Sequence, residues 1–579
     1  VTWPAAAASG REIRIAGVAS VRRVIFTTEL AQEEIASVKE AIPKDLPQLL
    51  RLEKPMQLVM TVGADSRQRE GLPEVIDSMR EFCPLAARLG FSGVESYVKW
   101  NFVEQKQGEF DWSYYDAIVA EAQEHGLKWF PLLVVGSAYT LPEWYYESPL
   151  NEGFVCLEHG KDNNIQTIFC ENQTPYVKTF LQEFGKHYSP TGDLLGVRLG
   201  PSGNFGESQY PAGGNWGYKW QEEHIHIGWW AGDHYAAPHF VEWLKERYAT
   251  IESLNAAWQT TYSDWDAVKC FVPQFAETNR QRKDIVDWYM EAMTDWCNRW
   301  AVWAREAMPD DVIYQSAGGW GFVESGTDFT DQTKGIAAVK GGIRTTNETD
   351  SYAQNFQVTR MMSSAARFYK VPFGSEPAGF NSAKGVASRI YNILVNNGQH
   401  LFFYYPNLTT NDQAIDTWLE LAPMLDQRAE PVIDVAVLYP DTLSKLDDGV
   451  FRNLYASSFY QRIAGLRPHL DFDYCGEQMV RDGALSRYKV LVLAWSNIIE
   501  AGVLNAIDAW VRDGGTVMAL EWGRMPIETV EGDRTVFNTW VNGDTGAGRV
   551  DMITEDREPP HRFADRVMER LLEMKDLHP

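Results

Sequence analysis

Cysteine is scarce in this chain. Six thiols (Cys83, Cys156, Cys170, Cys270, Cys297 and Cys475) are spread over 579 residues without a single CxxC pair. That is too few for a disulfide scaffold and unlike a zinc knuckle. Buried free thiols are the expectation, and the spacing leaves a Cys156–Cys170 pairing open. Long apolar runs are also missing. No stretch reaches the ~18 residues of a membrane span, and the opening VTWPAAAASG lacks the charged start and apolar core of a signal peptide. The chain opens at Val1 rather than Met, which fits a trimmed start or a removed leader. The compartment stays open, with the cytoplasm favoured.

Positive charge is in deficit. Lys and Arg number 53 against 79 Asp and Glu, a formal net charge of -26. Nucleic acid and an anionic membrane surface are excluded as partners, because their phosphates would be repelled. A neutral substrate such as a sugar fits without conflict. There is no strand-linked GxGxxG, no GxxxxGK[ST] and no HExxH, so neither an organic cofactor nor a metal is expected. The cluster Glu222, Glu223, His224, His226 and His234 is histidine-rich. His224 and His226 are two apart, however, and share no helical face, so a solvated or interface loop is the reading.

Aromatic residues, by contrast, are abundant at 13%, with 22 Trp. Most are expected in the core, where aromatic burial contributes heavily; a few could stack on the apolar C–H faces of sugar rings. A chain of this length exceeds one hydrophobic core. From about 55 to 407, short apolar runs alternate with amphipathic helical stretches, the pattern of repeated βα units, and the domain they form is assigned to 55–429. Strands are predicted at 56–63, 91–100, 127–136, 194–203, 311–319, 341–348, 371–379 and 399–407. The clearest helix covers 281–307, where Ile285, Tyr289, Met293, Trp296, Trp300 and Trp303 form one apolar stripe. Eight such units predict an α/β fold, a (β/α)8 TIM barrel, with an insertion near 208–280.

A second rhythm follows. The runs at 431–440, 470–476, 488–495 and 514–522 read as buried parallel strands of a smaller doubly wound α/β domain over 430–525, with a helix at 501–512. Residues 526–579 are read as a polar C-terminal segment with a helix at 561–575. Residues 1–54 are read as an N-terminal extension with a charged helical stretch over 28–41. An amidotransferase site in the second domain would need a nucleophilic Cys at a sharp elbow. Cys475 in DYCGE lacks the flanking pattern, so the domain is read as structural.

In a (β/α)8 barrel, active sites form where the strands finish. Two carboxylates stand there: Glu207 in GPSGNFGESQYP, after the fourth strand, and Glu376 in FGSEPAGF, ending the seventh. Two such groups across one glycosidic bond are the machinery of glycoside hydrolysis, one protonating the leaving oxygen and the other attacking or activating water. Glu348 in TTNETD is a challenger for the second role. Asn204 and Asn347 are candidate substrate contacts, and Trp100, Trp144, Trp320 and Tyr404 candidate sugar platforms. Arg198 is a candidate for holding a carboxylate ionised, with an interior barrel ion pair as the structural alternative.

The stretch WNFVEQKQGEFDWSYYDAIVAEAQEHGLK (100–128) resembles the segment after strand two in family 42 glycoside hydrolases, the β-galactosidases. LGPSGNFGESQYP also resembles the GPAGE…YP motif of β-amylases. The second α/β domain looks like the amidotransferase-like trimerisation domain that follows the family 42 barrel. The resemblance covers roughly 55–525. It implies an exo-acting, retaining hydrolase of a β-linked neutral sugar, β-galactosidase-like, with Glu376 at the nucleophile's place, assembled as a homo-oligomer, a trimer by resemblance; Glu207 is taken as acid/base because it is the only nearby carboxylate, the acid of the β-amylase motif falling where Asn204 stands. The chain departs from family 42 where Asn should precede the acid directly, since Gly206 stands there and Asn204 lies three residues back. An inverting β-amylase-like hydrolase and a non-catalytic saccharide-binding barrel are the alternatives.

Overall fold

The computed structural model describes residues 12–13, 24–25, 48–212, 224–318, 321–347, 350–377, 382–409, 411–447, 458–522, 526–555, 561–574 and 577. The stretch 28–41 lies outside them. Of the first 47 residues, only a short antiparallel pair, Glu12–Ile13 with Val24–Ile25, is described.

Eight parallel strands close into a barrel in sequence order. They are β1 (Gln57–Met60), β2 (Gly93–Lys99), β3 (Lys128–Val134), β4 (Val197–Gly200), β5 (Ile313–Ala317), β6 (Gly342–Asn347), β7 (Phe373–Pro377) and β8 (His400–Phe403). Each falls within its predicted run. Most residues of these strands are buried, because a parallel barrel is covered outside by helices and filled inside by side chains. The barrel closes through β8 pairing with β1 (His400 with Gln57, Phe403 with Met60). The predicted stripe helix spans Asn279–Ala307. The side chain of Thr278 caps it by accepting from the Gln281 N–H, and Trp288, Trp296 and Trp300 are buried. Unpaired backbone N–H groups at a helix start favour such a cap.

The second domain is a five-stranded parallel sheet: β9 (Val435–Leu438), β10 (Asp473–Cys475), β11 (Val490–Leu493), β12 (Thr516–Trp522) and β13 (Arg549–Glu555), in spatial order β10-β9-β11-β12-β13. The helix at Ala501–Arg512 matches its prediction. The expected boundary at 525 is too early. β13 pairs with β12 from Thr516–Arg549 to Trp522–Glu555, and a helix follows over His561–Leu572. Polar residues alternate with apolar ones in β13, as an edge strand permits, and this masked it in the sequence. No helix among the described residues is long and apolar enough to cross a membrane.

The two domains meet through buried charge. Asp287 on the long helix lies 2.5 Å from Lys283 and 2.9 Å from Lys445, which follows β9. Glu500 lies 2.8 Å from Arg280 and 3.1 Å from Lys283. A cleft of about 430 Å³ lies beside these pairs, with Glu291, Asp331, Asp441 and Glu477 among its lining.

Candidate active site

Period-two alternation sends every second residue of a barrel strand inward, and alternate strands share a layer. The even strands β2, β4, β6 and β8 contribute Glu95, Arg198, Arg344 and His400, all fully buried. Val59, Phe130, Tyr314 and Phe402 form an apolar set packed inside the same barrel. Phe130 stacks on the His400 ring at 4.8 Å, and the Arg344 guanidinium lies 4.9 Å from the Phe402 ring. The layer fits because β7 carries Gly374 at this level. A Cβ there would come within 2.8 Å of the His400 side chain.

Two residues further along β7, Glu376 sits above the layer and is itself 2% exposed. Its Oε2 accepts from Arg344 Nη2 at 2.6 Å and forms an ion pair with Arg198 Nη2 at 3.0 Å. Its Oε1 accepts from the Tyr404 hydroxyl at 3.4 Å, and that hydroxyl lies 3.3 Å from Tyr97 Oη. Burial, then the neighbouring Tyr97 and Glu376, push the Tyr404 phenol well above its ordinary value, so it stays a donor. Arg198 also donates from Nε to Ser316 Oγ at 2.5 Å and from Nη1 to Glu95 at 3.0 Å. Burial alone would make Arg198 less basic. Glu376, Glu95, Tyr97 and Glu207 override this and raise it. Both candidate catalytic carboxylates therefore act on one guanidinium. Arg198 thus makes the interior barrel ion pair with Glu95 and reaches Glu376 from the same guanidinium.

Glu207 is positioned by the loop after β4. Gly206 takes φ +93, and a Cβ there would lie 3.1 Å from the Gly200 Cα; the left-handed turn against the strand end therefore suits glycine. Immediately after Glu207, the chain re-enters the barrel wall. Ser208 donates its N–H to the Ser316 carbonyl at 2.9 Å and bridges Ala317 in parallel. Two residues on, Tyr210 stacks on Tyr289 at 3.8 Å. Glu207 itself is half-buried.

The other candidates divide. Tyr404 is in the site. Asn204 is buried, and its Oδ1 accepts from the Ala212 N–H at 3.3 Å, which ties the Glu207 loop together. Trp144 is half-buried and donates to the Glu104 carbonyl at 2.8 Å. Trp100 is corrected to a core residue. It is wholly buried, donates to Glu104 Oε2 at 2.6 Å and packs against Trp144, Tyr145 and Tyr176, leaving no face for a sugar. Trp320 and Glu348 lie outside the described residues, and only the backbone of Asn347, the last residue of β6, is described. Sequence reading missed Glu95, Tyr97, Arg344 and His400. A charged residue inside an otherwise apolar parallel strand was the available signal.

A second cluster lies in the insertion loops. Ligand atoms of Cys156, His159, His224 and His226 all lie within 4.8 Å of one another. Cys156 Sγ is 3.1 Å from His224 Nε2 and 3.5 Å from His159 Nδ1. One thiol and three imidazoles form a donor set that can hold a zinc-class ion. The sequence reading weighed His224 and His226 as neighbours on one segment. Their partners come from the loop after β3, 65 or more residues away in sequence. Cys156 and Cys170 are both free thiols, so the pairing left open is not made.

This barrel, with a carboxylate ending β7 and a parallel α/β domain behind it, has the architecture of family 42 glycoside hydrolases. Residues 229–363 match the family model for glycoside hydrolase 42, described as β-galactosidase. Among solved structures, the β-galactosidase from Rahnella sp. R3 superposes with a TM-score of 0.64 at 15% identity, covering 86% of this chain and 75% of that one. The catalytic domain of the Paenibacillus polymyxa β-amylase gives 0.53 at 15% identity, over 66% of this chain and all of that one. In sequence, the thermophilic β-amylase of Thermoanaerobacterium thermosulfurigenes is 23% identical over 228 residues, 36% of this chain and 40% of that protein. The β-galactosidase BgaB of Geobacillus kaustophilus is 24% identical over 204 residues, 33% of this chain and 26% of that protein. The match thus spans less than half the length of these curated relatives.

Proposed function

We propose that the protein is a glycoside hydrolase that removes a β-linked neutral sugar from the end of an oligosaccharide or glycoside, β-galactosidase-like and retaining, with Glu376 as nucleophile and Glu207 as acid/base. The observation that carries this reading is the clamp on Glu376. Two guanidiniums fix Oε2, while Oε1 takes the longer Tyr404 contact and is the atom suited to attack. In the first step, Oε1 bonds to the anomeric carbon as the glycosidic C–O bond breaks and Glu207 gives its proton to the leaving oxygen. In the second, water attacks that carbon, Glu207 takes the water's proton and the Glu376 carboxylate leaves. The family 42 match supports the substrate class. Turnover of a panel of nitrophenyl glycosides tests it, with NMR of the first-formed anomer. Release of the inverted anomer would favour the second reading, an inverting β-amylase-like hydrolase, which the likeness to β-amylases supports.

The α/β domain is proposed to support a homo-oligomer, a trimer by analogy with the architecture it resembles. Light scattering of the purified protein measures this, and a monomeric mass would remove it.

A further inference from the structure

Glu95 lies too deep to meet a substrate. It is fully buried, one layer below Glu376, at the middle of β2. Yet it makes more contacts to the clamp than Glu376 does. Arg344 grips it twice, from Nη1 to Oε2 at 2.7 Å and from Nη2 to Oε1 at 3.1 Å, and Arg198 Nη1 reaches Oε1 at 3.0 Å. The fifth group, His400, accepts from Arg344 Nη1 at 3.0 Å. Burial, with Arg344 and Arg198 beside it, holds its imidazole well below the ordinary value, so it is neutral. With both glutamates ionised, the set of Glu95, Arg198, Arg344, His400 and Glu376 sums to zero. Without Glu95, two guanidiniums would face one carboxylate in a closed barrel interior.

We propose that Glu95 is a positioning residue, the counter-charge that determines how firmly Arg198 and Arg344 hold the Glu376 carboxylate. The inference rests on Glu376 being the nucleophile and deepens that reading. It has a direct chemical consequence. When Glu376 Oε1 bonds to the anomeric carbon, its carboxylate becomes an uncharged ester and the buried set becomes +1. The guanidiniums then favour departure of the carboxylate in the second step, and Glu95 limits that pull. Glu95 thereby balances bond formation against bond release at the same atom.

The test uses two substitutions of opposite sign in the full-length protein, read by the acid side of the kcat/KM–pH profile on a hydrolysed nitrophenyl glycoside. Glu95→Gln leaves an excess positive charge beside Glu376, so activity should persist to lower pH, by about one unit for a neighbouring charge. Arg344→Met leaves an excess negative charge, so the acid limb should move up by a similar amount. A merely structural role would lower activity without moving the limb in opposite directions. If the single Glu95→Gln chain does not fold, the Glu95→Gln/Arg344→Met double variant restores charge balance and should return the limb to near its wild-type position. Shifts in the same direction, no shift in either variant, or a displaced limb in the double variant would overturn the proposal. Should the wild-type protein cleave no glycoside, the proposed activity fails. The counter-charge is then tested by the isotope-edited infrared carboxyl band attributable to Glu376 through its loss in Glu376→Gln. That band must titrate at lower pH in Glu95→Gln and at higher pH in Arg344→Met.

Discussion

Among the described residues, the barrel and the five-stranded sheet are the two large parallel sheets, and the carboxyl ends of their strands are put to different use. In the barrel, that edge gathers Glu376, Tyr97 and Tyr404 above a layer of charge whose members pair across the interior. In the α/β domain, the same edge holds Lys445, Asp441, Glu477 and Glu500, and its charges are drawn against the barrel helix Asn279–Ala307. Strand ends in open α/β sheets are where ligands usually bind. Here one edge carries the candidate site and the other docks a domain. The one thiol in the docking sheet agrees with this. Cys475 is buried, and burial, with Asp473 and Asp441, pushes it far above the ordinary thiol range, the opposite of what a nucleophile needs.

The comparison breaks most directly at Glu376. Glu376→Gln keeps the shape but removes the attacking charge, and turnover of the best nitrophenyl glycoside should fall on the order of 10⁴-fold or more. A variant that retains turnover would remove the barrel edge from catalysis. At the docking edge, Lys445→Met removes one of the two cations on Asp287 and leaves Lys283 in place, so it should cost about 1–3 kcal/mol. Chemical denaturation measures this, and an unchanged midpoint would show that the edge does not hold the domains. The loop cluster sharpens the contrast, since it stands outside both edges. Elemental analysis of protein purified without chelator should find a zinc-class ion that is lost in the Cys156→Ser/His224→Ala variant, with Tm lowered by a few degrees and the barrel's pH profile unchanged.

The smallest effect concerns pH at the docking edge. Burial, with Asp328 beside it, raises the Asp331 carboxyl to about 7. A raised carboxyl contributes stability below its unfolded value and loses it as pH rises through the folded one. Stability should therefore decline between pH 4 and 7 through this group, and Asp331→Asn should raise Tm at pH 8. Glu500 has the opposite sign. Burial opposes its ionisation, but Arg280 and Lys283 override this and hold it down at about 2. Its contribution is present above the unfolded value and lost as pH falls toward 2. A Glu500→Gln protein should therefore show a flatter acid limb of Tm against pH.

Much of the fold was readable because parallel strands buried on both faces leave dense apolar runs. β1, β3, β8, β9 and β11 announced themselves in this way, whereas β6 and β7, with GIRTTN and FGSEP, were legible from their spacing between helical stretches. β13 did not, since an edge strand shows one face to water and its RVDMITE sequence reads as mixed. Glu376 was readable from its place at a strand end. Its partners were not, because Glu95, Arg344 and His400 lie on strands far apart in sequence and meet only when the barrel closes. Trp100 misled for a related reason. A tryptophan after a strand end has the same local signature whether it lines a mouth or plugs the helix layer, and only burial separates the two. The thiol–imidazole cluster joins two loops that no local pattern links.

Gly374 offers a way to see how little separates a working barrel from an inert one. It holds open a gap the size of one methyl group, and the His400 ring, Arg344 and finally the carboxylate above depend on that gap in turn. Placing a carbon there would fill no ligand site and touch no substrate. It would press on the His400 ring, so a single hydrogen on the main chain acts as a spacer for the carboxylate two residues further along.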